Sequence, residues 1–222
     1  MTAKTLCLLF LFALSSICNA GEIHYKFDDP DLKDWTLGGQ QSQWQVENGE
    51  LSTEFKGVPS SDLTTGNDNW GNYTVECKSK FLETFPGGMT WAAITVRYKD
   101  TGNNYAFGID LANQRANVDV EFGGKSIAWL NRLINFKLEL NKYYNLKVVI
   151  EDDHIQFFID DNLIHDFKDG SLVTGKVGVM AIRAHVHFDD FIIKGPNITG
   201  SGEAIETSRN LVVSWGQIRN QH

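Results

Sequence analysis

Three neighbouring segments place side chains able to recognise a polyhydroxylated ligand on one surface. Residues 91–98, 103–111 and 115–122 each alternate apolar and polar with a period of two, the pattern of half-buried strands. Ile94, Val96 and Tyr98, then Tyr105, Phe107, Ile109 and Leu111, and then Val118, Val120 and Phe122 fall on one face. Trp91, Thr95 and Arg97, Ala106 and Gly108, and Asn117, Asp119 and Glu121 fall on the other. Turns at Thr101-Gly102 and Ala112-Asn113 join the three as antiparallel hairpins. Matching apolar faces sets an expected register: Ala106 between Arg97 and Asp119, and Gly108 between Thr95 and Asn117. Small residues then floor a trough walled by an aromatic ring, an amide, a guanidinium and two carboxylates. That set of groups suits stacking on a sugar ring and hydrogen bonding to its hydroxyls. In this register Arg97 reaches over Ala106 to pair with Asp119. Trp70 and Trp129, from loops, are further stacking candidates.

Two other constellations merit attention. His185-Val186-His187 puts two imidazoles on one strand face at a metal-ligand spacing, but further ligands must come from elsewhere, and an ordinary outer face is the expectation. No cofactor is expected; the alternative is a structural calcium, for which Asp28, Asp29 and Asp189 are candidate oxygen ligands. The other reading is that such acids accept backbone hydrogen bonds in turns.

The elements that must position these groups are strands almost throughout. Expected strands cover residues 23–27, 43–47, 50–54, 73–81, 144–151, 154–160, 162–167, 176–182 and 185–193, besides the three above. Residues 57–72 and 123–133 read as long loops. Many short strands with frequent turn signals and no amphipathic helix predict a single antiparallel β-sandwich of jelly-roll type.

Residues 1–20 carry Lys4, an unbroken apolar run at 6–14 and small residues before Gly21. They read as a cleaved signal peptide, so the chain is expected to be secreted, extracellular or periplasmic. The domain is expected over 21–196, with 197–222 a polar linker and short apolar tail that offers a site for a protein partner. Cys77 is then the one cysteine of the mature chain, a buried thiol on an apolar strand face. A formal charge of −8 disfavours nucleic acid, and no later segment is apolar enough for membrane insertion.

Phe27-Asp28-Asp29, Asp34-Trp35, Trp44-x-Val46, Asn48-Gly49-x-Leu51, Ile159-Asp160-Asp161, Gly175-Lys176-Val177-Gly178 and Phe188-Asp189-Asp190-Phe191 together resemble the concanavalin A-like lectin/glucanase superfamily. The likeness is to secreted laminin-G-like domains and to the 3-keto-disaccharide hydrolase-like domain, related to family 16 glycosidases, over residues 22–194. The resemblance implies a jelly roll that binds or cleaves saccharides. Those glycosidases carry a Glu-x-Asp-x-Glu strand; the matching stretch here runs from Asn117 through Asp119 to Glu121. Asn117 stands at the nucleophile position, and an amide cannot form a covalent glycosyl intermediate. The expectation is therefore a non-catalytic module for an oligo- or polysaccharide. A hydrolase using Asp119 or Glu121 and an extracellular adhesion protein are the alternatives.

Overall fold

The computed structural model describes residues 20–127, 132–196, 198–199 and 203–204. The expected signal segment before residue 20, Trp129 and most of the tail lie outside the described residues. In chain order the strands are β1 (Ala20–Tyr25), β2 (Trp35–Gly39), β3 (Trp44–Glu47), β4 (Glu50–Phe55), β5 (Ser61–Thr65), β6 (Tyr73–Thr84), β7 (Trp91–Asp100), β8 (Asn103–Asp110) and β9 (Arg115–Phe122). They continue as β10 (Lys125–Ser126), β11 (Leu133–Asn135), β12 (Tyr143–Glu151), β13 (His154–Ile159), β14 (Asn162–Lys168), β15 (Lys176–Ile182), β16 (Ala184–Pro196) and β17 (Glu203–Ala204). There is no helix among the described residues.

The strands form two antiparallel sheets. Sheet 1 runs β14-β13-β12-β6-β16-β1-β17, with β4 also on β16 and β3 on β4. Sheet 2 runs β10-β9-β8-β7-β15-β5-β2, with β11 also on β9. Their facing sides supply one core. Ile94, Val96, Tyr105, Phe107, Ile109, Val118 and Val120 from sheet 2 and Val148, Phe157, Ile159, Val186 and Phe188 from sheet 1 all belong to it. The alternation in the sequence therefore builds the sandwich as expected, because each strand has one face to bury. Cys77 lies within this core, and burial pushes its thiol far up from the ordinary range.

Besides β2, β10 and β11, which the sequence-based reading does not place, three stretches depart from it. Residues 57–72 are not all loop: β5 runs through them, with all five residues buried. Its polar side chains are hydrogen-bonded, which lets Ser-Asp-Leu-Thr-Thr sit inside a sheet. Ser61 accepts a bond from Trp44 Nε1 at 2.9 Å, Thr64 donates to Thr36 O at 3.2 Å, and Thr65 donates to Asp34 O at 2.9 Å. At the other end of the chain, Ile198 packs into the core and β17 pairs with β1, so structure extends past the expected boundary at 196.

The third departure is a β-bulge in β7. Gly178 pairs with Thr95, yet Lys176 pairs with Tyr98, so β7 carries one extra residue opposite Val177. Arg97 takes φ +47° there. An extra residue inverts the alternation beyond it. Arg97 consequently turns inward and is 1% exposed, while Tyr98 turns outward and donates its hydroxyl to Asp62 Oδ2 at 3.1 Å. Arg97 Nη1 donates to Leu172 O at 2.7 Å, and Nη2 donates to Gly71 O at 3.3 Å and to Asp152 O. Its backbone N–H donates to the Tyr73 hydroxyl at 2.9 Å. The chain passes so close that a Cβ at residue 175 would lie 2.3 Å from the Arg97 carbonyl carbon, which explains Gly175. Arg97 thus closes one end of the sandwich.

Because a guanidinium can reach three carbonyls in a plane and an ammonium cannot, Arg97→Lys is expected to lose about 2–4 kcal/mol of stability. Urea denaturation checks this; a loss below about 0.5 kcal/mol would show that the three carbonyls do not depend on the fork.

Candidate functional site

Pairing across sheet 2 defines its outer face row by row. One row reads Gly38, Asp62, Met180, Ala93, Gly108 and Asn117. The next reads Thr36, Thr64, Gly178, Thr95, Ala106 and Asp119. A third holds Ile182, Trp91, Asp110 and Arg115. The expected pairings of Ala106 with Asp119 and Gly108 with Asn117 hold. Those with β7 are two residues out: Ala106 faces Thr95 rather than Arg97, and Gly108 faces Ala93 rather than Thr95. Equal strand lengths were assumed on either side of Thr101-Gly102, and the bulge breaks that assumption. Arg97 and Asp119 therefore lie on opposite faces of the sheet, and no ion pair joins them.

The floor of small residues is real, and Ala93 and Gly178 extend it. Its neighbours are more apolar than the sequence suggested. Trp91, Ala93, Ala106, Met180 and Ile182 form a second buried cluster, with Met89 packed against it. Trp91 is 1% exposed, so it is part of this floor rather than an open stacking platform. Its ring lies over Gly108, where a Cβ would come within 2.4 Å of Nε1. Trp70 is likewise buried in the main core, against Gly66, and does not reach this face.

The polar groups line the β9 side. Asn117 is buried and Asp119 and Glu121 are half-buried, spaced two residues apart on one strand face. Asp119 accepts a bond from Ser126 Oγ at 3.3 Å. Burial, and then the charge of Asp119, raise the Glu121 carboxyl above its ordinary range. Thr95 Oγ1 is committed to Tyr105 O at 3.3 Å. Asp110 is fully used in holding its turn: it accepts from Thr90 N at 3.1 Å, Asn113 Nδ2 at 2.8 Å and Arg115 Nε at 3.0 Å. Two buried polar atoms flanking Gly108 have no hydrogen-bond partner, the donor Trp91 Nε1 and the acceptor Asn117 Oδ1. A hydroxyl group, being donor and acceptor at once, has the complementary chemistry.

Asp62 is the acid that sequence reasoning missed, because it lies within the stretch read as loop. It is buried, its Oδ1 has no partner, and burial raises its carboxyl above the ordinary range. Four strand spacings, about 19 Å, separate its strand from β9. Asp62 thus cannot act with Asp119 or Glu121 on one glycosidic bond.

The acids Asp28, Asp29 and Asp189 are not drawn into one group. Asp29 accepts the Asp31 N–H at 2.9 Å and Asp189 accepts the Asp190 N–H at 2.7 Å, the turn-holding role. The set of three or more close donor residues among the described residues is Glu47, His185 and His187, on the far sheet. His154 pairs with Asp166 at 2.8 Å. His165 stacks on Phe157, and burial drives its imidazole down to about 4. Neither completes the His185-His187 pair.

With this geometry in place, comparison with known proteins defines first the fold class. The structure is similar to the carbohydrate binding module CBM66 from Bacillus subtilis, with a TM-score of 0.62 and 20% identity over 73% of this chain and 96% of that one. It is similar to the Bacillus licheniformis beta-glucanase, with a TM-score of 0.57 and 11% identity over 82% of this chain and 99% of that one. A xylan beta-1,4-xylosidase from Bacillus halodurans C-125 matches with a TM-score of 0.59 and 18% identity, over 77% of this chain but 38% of that one. The fold is a concanavalin A-like jelly roll. No curated protein matches the chain by sequence. The chain belongs to the family of the 3-keto-alpha-glucoside-1,2-lyase-like domain, whose model matches residues 25–194.

The raised carboxyl of Asp62 makes a pH prediction. A raised folded-state pKa means that ionised Asp62 opposes folding and that protonation relieves the cost, so this contribution favours stability as pH falls through the folded value. Asp62→Asn should therefore be at least as stable as the parent at pH 7, and its advantage should shrink toward pH 4. Thermal melts of both proteins across that range check the trend; a growing advantage in acid would contradict it.

Proposed function

We propose that the chain is a non-catalytic saccharide-binding domain of an exported protein, its ligand lying along the β9 side of the sheet 2 face. The observation that carries this reading is the floor of Ala93, Ala106, Gly108 and Gly178 beside Asn117, with an unpaired donor and an unpaired acceptor on either side of Gly108. Short side chains let a sugar ring approach the backbone, and fixed polar groups at its edge orient hydroxyls. The absence of an opposed acid among the described residues favours binding over hydrolysis. Asp119 and Glu121 are about 7 Å apart by strand rise, within the range of inverting pairs, but they rise from one strand and reach one side of a ligand. The leader-like residues 1–20 support export. The family's description names a 3-keto-alpha-glucoside, so keto-sugars belong beside ordinary glucosides among the candidate ligands.

A second reading rests on Glu121. Its raised carboxyl beside Asp119 is the arrangement that separates an acid from a base, and it would suit proton transfer on a glycoside.

Calorimetric titration with a panel of oligosaccharides and 3-keto-glucosides separates the two readings. Ala106→Lys should abolish binding, at some cost in melting temperature because Ala106 packs in the Trp91 cluster, and Asn117→Ala should weaken it about 5- to 10-fold, the worth of one hydrogen bond. Unchanged affinity in Ala106→Lys would remove this face as the site. Release of free sugar that Glu121→Gln stops would establish the catalytic reading instead.

A further inference from the structure

The outer face of sheet 1 carries a cluster that the saccharide reading does not use. His185 and His187 are alternate residues of β16 and face outward together, with ring centroids 5.5 Å apart and planes at 65°. The β3–β4 hairpin lies alongside. In the pairing, Ser52 of β4 faces His187, while Glu47 and Glu50 face each other at the hairpin turn. One ligand-capable atom from each of Glu47, His185 and His187 lies within 4.8 Å of the others.

His187 shows what this cluster is built for. The residue is 6% exposed. Its Nδ1 lies 2.5 Å from Glu50 Oε2. Glu50 also takes the Lys80 ammonium on its carboxylate, at 3.2 Å, so it is the acceptor in both contacts. Nδ1 must then carry the proton of this bond. In the neutral ring the other nitrogen, Nε2, presents a lone pair. That atom is buried, has no hydrogen-bond partner, and faces Glu47 Oε2 at 3.7 Å. The separation is too long for a hydrogen bond, and a lone pair facing a carboxylate is repulsive unless a second ring proton or a metal cation lies between them.

We propose that Glu47, His185 and His187 bind a divalent transition-metal ion of the zinc class, with Glu50 orienting His187 from behind. Two imidazole nitrogens and one carboxylate suit zinc and its neighbours rather than calcium, which prefers oxygen ligands only. Three protein ligands leave a coordination position for water or another small ligand. Tetrahedral zinc with bonds of about 2.0–2.1 Å spaces its ligand atoms about 3.3 Å apart. The pair at 3.7 Å is close to that already, and the three atoms all lie within 4.8 Å of one another, so a modest side-chain adjustment would complete the site. The carboxylate–imidazole–metal relay through Glu50 fixes the tautomer and raises ligand basicity. Lys80 lies 3.2 Å from Glu50 and neutralises that carboxylate, leaving Glu47 to offset the ion's charge.

The test is a titration of chelator-treated protein with Zn²⁺ by calorimetry, and with Co²⁺ by visible absorption. One ion per chain is expected, with a rise in melting temperature at saturation and the absorption bands of a low-coordinate Co²⁺ site. His187→Gln and Glu47→Gln should each lose at least about 10-fold in affinity, and Glu50→Gln about 10- to 100-fold, as for orienting groups elsewhere. Glu47 is half-exposed, so its variant reports on the ligand role even if the buried His187 variant misfolds. Zinc binding unchanged in the His185→Gln/Glu47→Gln double variant, or no stoichiometric binding by the parent, would overturn the proposal. So would a nitrogen NMR spectrum showing His187 protonated on both nitrogens with zinc present. Chelation should leave saccharide affinity unaltered, because the two sites lie on different sheets.

Discussion

The arrangement of this protein depends on what happens to the chain after Val96. A single additional residue in β7 sends Arg97 into the end of the sandwich and Tyr98 out of it. A buried guanidinium is costly unless its donors are satisfied, and here the Gly71, Asp152 and Leu172 carbonyls accept from it. Those carbonyls belong to three connecting segments, before β6, after β12 and before β15. One side chain therefore ties together loops from both sheets. The same inversion supplies Asp62 with the Tyr98 hydroxyl, so the bulge sets the polar boundary of the outer face as well as the closure of the core.

That constraint also marks where reading the sequence succeeds. Alternation in residues 103–111 and 115–122 carries enough information to place Phe107 opposite Val118 and Ala106 opposite Asp119, because a slip would expose a whole apolar face. It carries none about a bulge, since an inserted residue leaves the local composition unchanged; Arg97 looked like any outward-facing cation. Residues 61–65 escaped notice because Ser, Asp and Thr read as loop when their hydrogen-bond partners, at residues 34, 36 and 44, cannot be seen. Trp70 and Trp91 were read by chemistry alone, and their burial depends on packing by Gly66 and Met180. Two of the three proposed metal ligands stood in plain view as His185-x-His187. The third, Glu47, is distant in sequence and becomes a neighbour through the pairing of β4 with β16.

The two outer faces divide the molecule's surface chemistry. On sheet 2 two rows are short and apolar at their centre, with Asp62 and Lys176 on one side, the β9 acids on the other and the Asp110–Arg115 ion pair in the row beyond. On sheet 1 the outer face is dense with paired charges: Lys80 with Glu50, Lys56 with Glu54, Lys78 and His24 with Asp190. Apart from the half-buried Lys80–Glu50 pair, such exposed pairs add little stability individually, of order 0–1 kcal/mol each. A face that is short and apolar at its centre suits a neutral ligand, and a carboxylate-rich face with imidazoles suits a cation.

The pairing of β16 has a consequence for how the chain reaches this state. This late strand holds β1, β4 and β6 together, and among the described residues β1 has no neighbour in sheet 1 other than β16 and β17. Residues 20–25 must therefore wait for residues 191–196 before their backbone groups find a place. Closing such distant segments is entropically slow, and a chain emerging from its N-terminus passes most of its synthesis with sheet 1 incomplete. Until β16 has joined, the outer half of that sheet is an open template. Timing, as much as sequence, then decides whether the first strand meets its own last strand or that of another molecule.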